Sequence, residues 1–127
     1  MAFDPMLFVD DVEATSRWYQ ILCGLRGAHG GKEYEMIVDA DGELVLQLHH
    51  ADADEHGGAR LPAGAPRGAG VLLYLSVADV RAVYAKAQEM GAVTEGPPMF
   101  IRAAGHTEFV VRDPDGYALA IAQRGEV

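Results

Sequence analysis

The chain has 127 residues, half of them hydrophobic, with 10 basic and 19 acidic side chains and a formal net charge of −9. That length and composition describe one globular domain with a buried core and exclude a disordered chain. The acidic balance argues against nucleic acid and anionic membranes as partners and suits neutral or cationic ligands.

In chain order, residues 6–9 read as a short strand. Asp10-Asp11-Val12-Glu13 then offers a helix N-cap with an acidic residue three positions later, the capping-box spacing. A helix is expected over about 11–23, with Val12, Thr15, Tyr19 and Leu22 along one face, Trp18 widening it and Gly24 ending it. Cys23, the only cysteine, lies in this apolar run as a packing residue and allows no intrachain disulfide. Residues 27–31 form a flexible connector, and residues 33–39 and 43–50 read as strands around Asp41-Gly42, a hairpin signal. Residues 51–70 are rich in Ala, Gly, Pro and charge without a period, so a long loop is expected there, either a lid or a plain linker.

The second half repeats the first. Residues 71–77 form a branched-residue strand, followed by the clearest helix, over 79–90, whose stripe is Val80, Val83, Tyr84, Ala87 and Met90. Gly91 ends it. Strands follow near 93–94, 100–102, 107–112 and 117–123, the last two joined by Asp113-Pro114-Asp115-Gly116, a type I turn sequence. No apolar run reaches the ~20 residues of a membrane span, so the expectation is a soluble, cytoplasmic protein.

Three segments carry a family resemblance. They are Phe8-Val9-Asp10-Asp11-Val12 with Trp18-Tyr19 and Gly24; Leu75-Ser76-Val77-Ala78-Asp79-Val80 with Gly91; and Phe109 through Tyr117 with Gly96-Pro97-Pro98 upstream. In order and spacing the chain resembles the vicinal oxygen chelate superfamily, also called the glyoxalase/bleomycin-resistance family. The resemblance covers residues 1–127 as one domain, with module one at about 1–55 and module two at about 70–127. It implies an α+β fold of two βαβββ modules forming a curved, cup-shaped mixed sheet with helices packed on the outside. It also implies a homodimer, and an open sheet edge gives dimerisation a physical motive.

Metal-dependent members of that family carry His and Glu ligands on four inward strands. Counting seven back from Asp11 and from Asp79 gives Asp4 and Leu72 as the equivalent positions here, and the strands after the two Asp-Gly turns give Gln47 and Ala120. Leu72 and Ala120 have no donor atom, and their neighbours (Val71, Leu73, Leu119 and Ile121) are apolar too. The expectation is therefore no metal and no cofactor.

Strand alternation places Met6, Phe8, Tyr34, Met36, Val45, Gln47, Leu72, Tyr74, Ser76, Ala118 and Ala120 on the inward faces. The ligand-binding candidates are Phe8, Tyr34, Met36, Gln47, His49, Leu72, Tyr74, Phe100, Arg102 and Ala120, an apolar and aromatic lining with sparse polar groups. His49, His106, Glu108 and Tyr74 are the candidates for catalysis, as a relocated metal site or as proton-transfer groups. His49 and His50 also read as solvent-side residues at a strand end, and the run from His50 to His56 as a solvated acidic loop.

Two functions follow from these residues and the resemblance. One is a metal-free binder of the bleomycin-resistance type, sequestering a hydrophobic, planar or cationic small organic molecule such as an antibiotic. The other is a lyase, isomerase or dioxygenase with an altered metal site or metal-free acid–base chemistry.

Overall fold

Asp11 and Asp79 open the two helices and lie at matching points of the two halves. Each is extended, and each side chain accepts the backbone N–H three residues on, from Ala14 and from Ala82. The first cap is Asp11 and not Asp10, so Ala14 occupies the third helical position and the expected capping box with Glu13 does not form. In this computed structural model, which describes residues 1–52, 61 and 65–127, the chain divides into two compact units, Met1–Ala65 and Pro66–Val127. Most of the expected acidic loop, His56 included, lies outside the described residues.

Unit one runs β1 (Met6–Val9), α1 (Val12–Cys23), β2 (Arg26–Gly27), β3 (Tyr34–Val38) and β4 (Leu44–His50). Its sheet order is β1-β4-β3-β2, with β1 parallel to β4 and the other pairs antiparallel. The short strand β2 falls partly in what reads from sequence as a connector. Gly24 ends α1 in the left-handed conformation, at φ 67°. The helix packs on β3 and β4, burying Val12, Thr15, Tyr19 and Leu22 as their spacing predicts.

Unit two runs β5 (Leu72–Ser76), α2 (Val80–Glu89), β6 (Val93–Thr94), β7 (Met99–Ile101), β8 (His106–Arg112) and β9 (Ala118–Arg124). Its order, β5-β9-β8-β6, repeats that of unit one, and β7 adds to β8 as an extra pairing. α2 packs on β8 and β9, where Tyr84 meets Phe109 edge-on at 5.1 Å. On that side lie Val111, Leu119 and Ile121, all buried.

Unit one is thus βαβββ and unit two is the same with β7 as one further strand, and the fold is α+β with an open sheet in each unit. Among the described residues no helix is long and apolar enough to cross a membrane.

Candidate functional site

Each sheet turns one face to its helix and leaves the other free of it, and the pairing register shows which residues share the second face. In unit one, Phe8 pairs with His49, and His49 with Tyr34, forming one row across β1, β4 and β3. Met6, Gln47 and Met36 form the next row. The rings touch: Phe8 and His49 stand 5.7 Å apart, and Tyr34 and His49 6.2 Å apart. Phe8, Tyr34, Met36, Gln47 and His49 therefore come together as the alternation predicts. His49, however, is only 6% exposed, so it is not a solvated strand-end residue.

Gln47 is engaged on both sides. Its Oε1 accepts the Tyr34 hydroxyl at 2.5 Å, and its Nε2 donates to the Asp4 carbonyl at 3.1 Å. Burial pushes the Tyr34 phenol up, and the charges of Glu35 and Asp4 add to it. Tyr34 is accordingly a neutral donor at ordinary pH.

In unit two the rows are Leu72 with Ala118 and Arg112, Tyr74 with Ala120 and Val110, and Ser76 with Ala122 and Glu108. Leu72 and Tyr74 are exposed, at 45% and 54%. Ala120 lies beneath this face with no accessible surface. A cavity of about 480 Å³ opens over Leu72, Val110 and Ala118, with Arg67, Glu95 and Arg112 in its walls. Arg67 pairs with the nearly buried Asp115 at 2.8 Å, and Arg112 with Glu95 at 2.6 Å. A volume in that range accommodates a drug-sized organic group.

Three of the four catalytic candidates meet on the same face. Glu108 accepts the Tyr74 hydroxyl at 3.0 Å, and His106 Nε2 stands 2.8 Å from the same carboxylate oxygen. Where the Glu108 carboxylate accepts from His106 Nε2–H, Nδ1 is the acceptor of the neutral ring. A smaller cavity of about 180 Å³ adjoins His106, with Ser76 and Arg124 in its wall. His49, the fourth candidate, stands on the sheet of unit one.

Phe100 and Arg102 are placed differently. Phe100 pairs with Thr107, so it turns to the opposite side from Met99, Ile101 and Glu108, while Arg102 follows β7 and is exposed. Sequence reasoning missed Arg67, Glu95 and Arg112. Arg112 was recoverable, since it continues the alternation of His106, Glu108 and Val110. Arg67 lies in a stretch without any period, and Glu95 in a turn.

The four positions equivalent to the family's metal ligands do not make a divalent-cation set. Leu72 and Ala120 offer only carbon, Gln47 is hydrogen-bonded on both sides, and Asp4 is exposed. Among the described residues no group of three His, Cys, Asp or Glu side chains is placed to hold a metal ion. Burial pushes the Cys23 thiol up to about 12, as suits a packing residue.

Solved structures share this fold along nearly the whole chain. A protein of unknown function from Agrobacterium tumefaciens str. C58 is 24% identical, with a TM-score of 0.77 over 97% of this chain and 94% of that one. A glyoxalase-related enzyme from Fulvimarina pelagi is 21% identical, with a TM-score of 0.77 over 98% and 88%. TioX from Micromonospora sp. ML1 is 17% identical, with a TM-score of 0.72 over 100% and 98%. No curated protein matches the chain. A family model matches residues 4–121, and the chain belongs to the Glyoxalase/Bleomycin resistance protein/Dioxygenase superfamily.

Proposed function

We propose that this protein binds and sequesters a small organic molecule, hydrophobic and planar or cationic, without a metal, in the manner of a bleomycin-resistance protein. The observation that carries the reading is the chemistry of the two helix-free sheet faces. Where metal-dependent relatives carry ligands, unit two has Leu72 and Ala120, beneath and beside an exposed Tyr74. Unit one offers Tyr34 at the end of a row of three rings, in which Phe8 and His49 are buried behind it. Aromatic rings of this kind add about 0.5–1.5 kcal/mol per contact beyond the area they bury. A net charge of −9 favours the approach of a cation.

Calorimetric titration with bleomycin and with the planar cation proflavine, each with and without a chelator, tests this. Saturable binding that the chelator leaves unchanged, with the ligand recovered at its original mass, is the expected result. Loss of binding in the chelator, or a ligand of altered mass, would sink it.

The hydrogen-bonded group of Tyr74, Glu108 and His106 favours a second reading, metal-free acid–base chemistry. Under it, His106→Ala abolishes turnover of the ligand. Under the first reading the same change only adjusts affinity.

A further inference from the structure

Glu35 is a buried carboxylate on the face of the unit-one sheet that packs against α1. Its Oε1 accepts the backbone N–H groups of His29, Gly30 and Met36, each at 2.9 Å. Its Oε2 accepts the Ser16 hydroxyl at 3.2 Å. Two of these bonds draw the segment between β2 and β3 onto a single oxygen. That segment contains Gly30 and Gly31, both at positive φ; its ends are tied to the sheet by Ala28 N–H to the Met36 carbonyl and by His50 N–H to the Glu33 carbonyl, and Glu35 holds its middle. Gly27 leaves room for the arrangement, since a Cβ there would stand 2.6 Å from Glu35 Oε2.

The tied segment presents His29. Its Nδ1 lies 2.7 Å from the Gly30 carbonyl, which only accepts, so Nδ1 carries the hydrogen and Nε2 is the acceptor of the neutral ring. The ring stands edge-on to Tyr34, with centroids 5.0 Å apart and planes at 86°. Tyr34 in turn meets His49, and His49 meets Phe8. His29 therefore extends the row of rings by one and brings an exposed ring with an acceptor nitrogen to its end.

We propose that Glu35 is a positioning residue for ligand binding and His29 the specificity residue it positions. Together they select planar aromatic ligands that carry an N–H or O–H donor at the ring edge, for His29 Nε2 to accept. The proposal rests on the sequestration reading and names a ligand class for it. A carboxylate accepting several backbone N–H groups makes strong, charge-assisted bonds. A loop held in its binding shape beforehand spares the ordering cost at the moment of binding.

The test titrates proflavine, whose amino groups supply edge donors, into the wild-type protein and its variants. His29→Ala and Glu35→Met are each expected to weaken binding about fivefold, the worth of one ring contact. The double variant is expected to lose no more than either single one, because both remove the same placed ring. Glu35→Gln keeps an acceptor oxygen and is expected to retain most of the affinity. The His29 ring-proton resonance, shifted by the Tyr34 ring, is expected to move in Glu35→Met and to stay in Glu35→Gln. Should Glu35→Met fail to fold, Gly27→Ala crowds the same carboxylate and carries the same expectations.

Unchanged affinity and an unmoved His29 resonance in Glu35→Met would overturn the positioning role and leave the sequestration reading intact. Equal binding of proflavine and its analogue methylated on both amino groups and on the ring nitrogen, a planar cation with no N–H, would overturn the ligand class alone. A wild-type protein that binds no planar probe would overturn the sequestration reading and the ligand class with it.

Discussion

Tyr74 and Glu108 are hydrogen-bonded at 3.0 Å although their strands are not neighbours: β9 lies between β5 and β8. On this face β9 presents Ala120 opposite Tyr74 and Ala122 opposite Glu108. Two alanines leave the phenol free to cross the middle strand. The bond to Glu108 raises the Tyr74 phenol above its ordinary value, with burial and the Glu108 charge adding to it. Stability from a group raised on folding is present below the unfolded value, about 10 for tyrosine, and is lost as pH rises through the folded one. Glu108→Gln is expected to bring the Tyr74 titration down toward that of a free tyrosine. Ala122→Leu, which fills the crossing, is expected to do the same. Ultraviolet-detected alkaline titration, with Tyr74→Phe to identify the signal, reads both; a titration unchanged in Glu108→Gln would refute the bond.

Glu35 shifts the other way. Burial pushes its carboxyl up, but the hydrogen bonds from Gly30, His29, Met36 and Ser16 outweigh that and hold it below the ordinary value. Its contribution to stability is complete above the unfolded value of about 4.3 and is lost as pH falls through the lower folded one. Glu35→Gln removes the titration, so its stability relative to wild type is expected to improve as the pH drops from 6 toward 3. Urea midpoints measured across that range give the comparison. A constant difference between the two proteins would show that Glu35 titrates alike in both states.

The periodicity of the chain makes both modules legible in the sequence. The stripe of Val12, Thr15, Tyr19 and Leu22 is the buried face of α1, and the inward positions share one face in each sheet. The repeated Asp-Val openings, Asp11-Val12 and Asp79-Val80, are the two helix caps; the capping-box spacing to Glu13 points one residue early in the first, because Asp10 and Asp11 are both good caps and only the backbone decides between them. Glu35 was not legible. It lies between Tyr34 and Met36 in a strand, where alternation reads a charged residue as solvent-facing. The turn of residues 28–30 back onto the sheet supplies two of the four donors that let it stay buried, beside Met36 N–H and the Ser16 hydroxyl. His29 was opaque for the same reason, since its place depends on that turn. β2 was missed because two residues carry no period.

Leu72 and Ile121 separate the proposed ligand wall from the core. Ile121 lies on the α2 side of β9 with no accessible surface, whereas Leu72 is 45% exposed on the opposite face. Ile121→Ala is expected to cost about 3 kcal/mol in unfolding free energy, the usual loss for a buried aliphatic truncated to alanine. Leu72→Ala is expected to stay within about 0.5 kcal/mol, as an exposed substitution does, and to weaken binding of an apolar ligand instead. Chemical denaturation and calorimetry on the same two variants make the comparison. A Leu72→Ala protein as destabilised as Ile121→Ala would show that Leu72 is core and not a ligand wall.

The register that sets Glu108 and His106 against β9 is fixed at one end by Asp113. Its side chain is buried, and Oδ1 accepts the backbone N–H groups of Asp115 at 2.9 Å and Tyr117 at 3.0 Å. Its carbonyl accepts Gly116 N–H at 2.9 Å, closing the turn that Pro114 and Gly116 suit. Asp113→Ala strips two backbone donors of their acceptor and is expected to cost roughly 2 to 4 kcal/mol. Asp113→Asn keeps an oxygen at the same place and is expected to cost about 1 kcal/mol, the difference between a charged and a neutral acceptor. Urea midpoints rank the two. Because Tyr74 reaches Glu108 across β9, a register disturbed by Asp113→Ala is also expected to lower the Tyr74 titration, while Asp113→Asn leaves it in place. Equal losses of stability in both variants, with Tyr74 unmoved, would show that Asp113 acts through its charge and not through the turn.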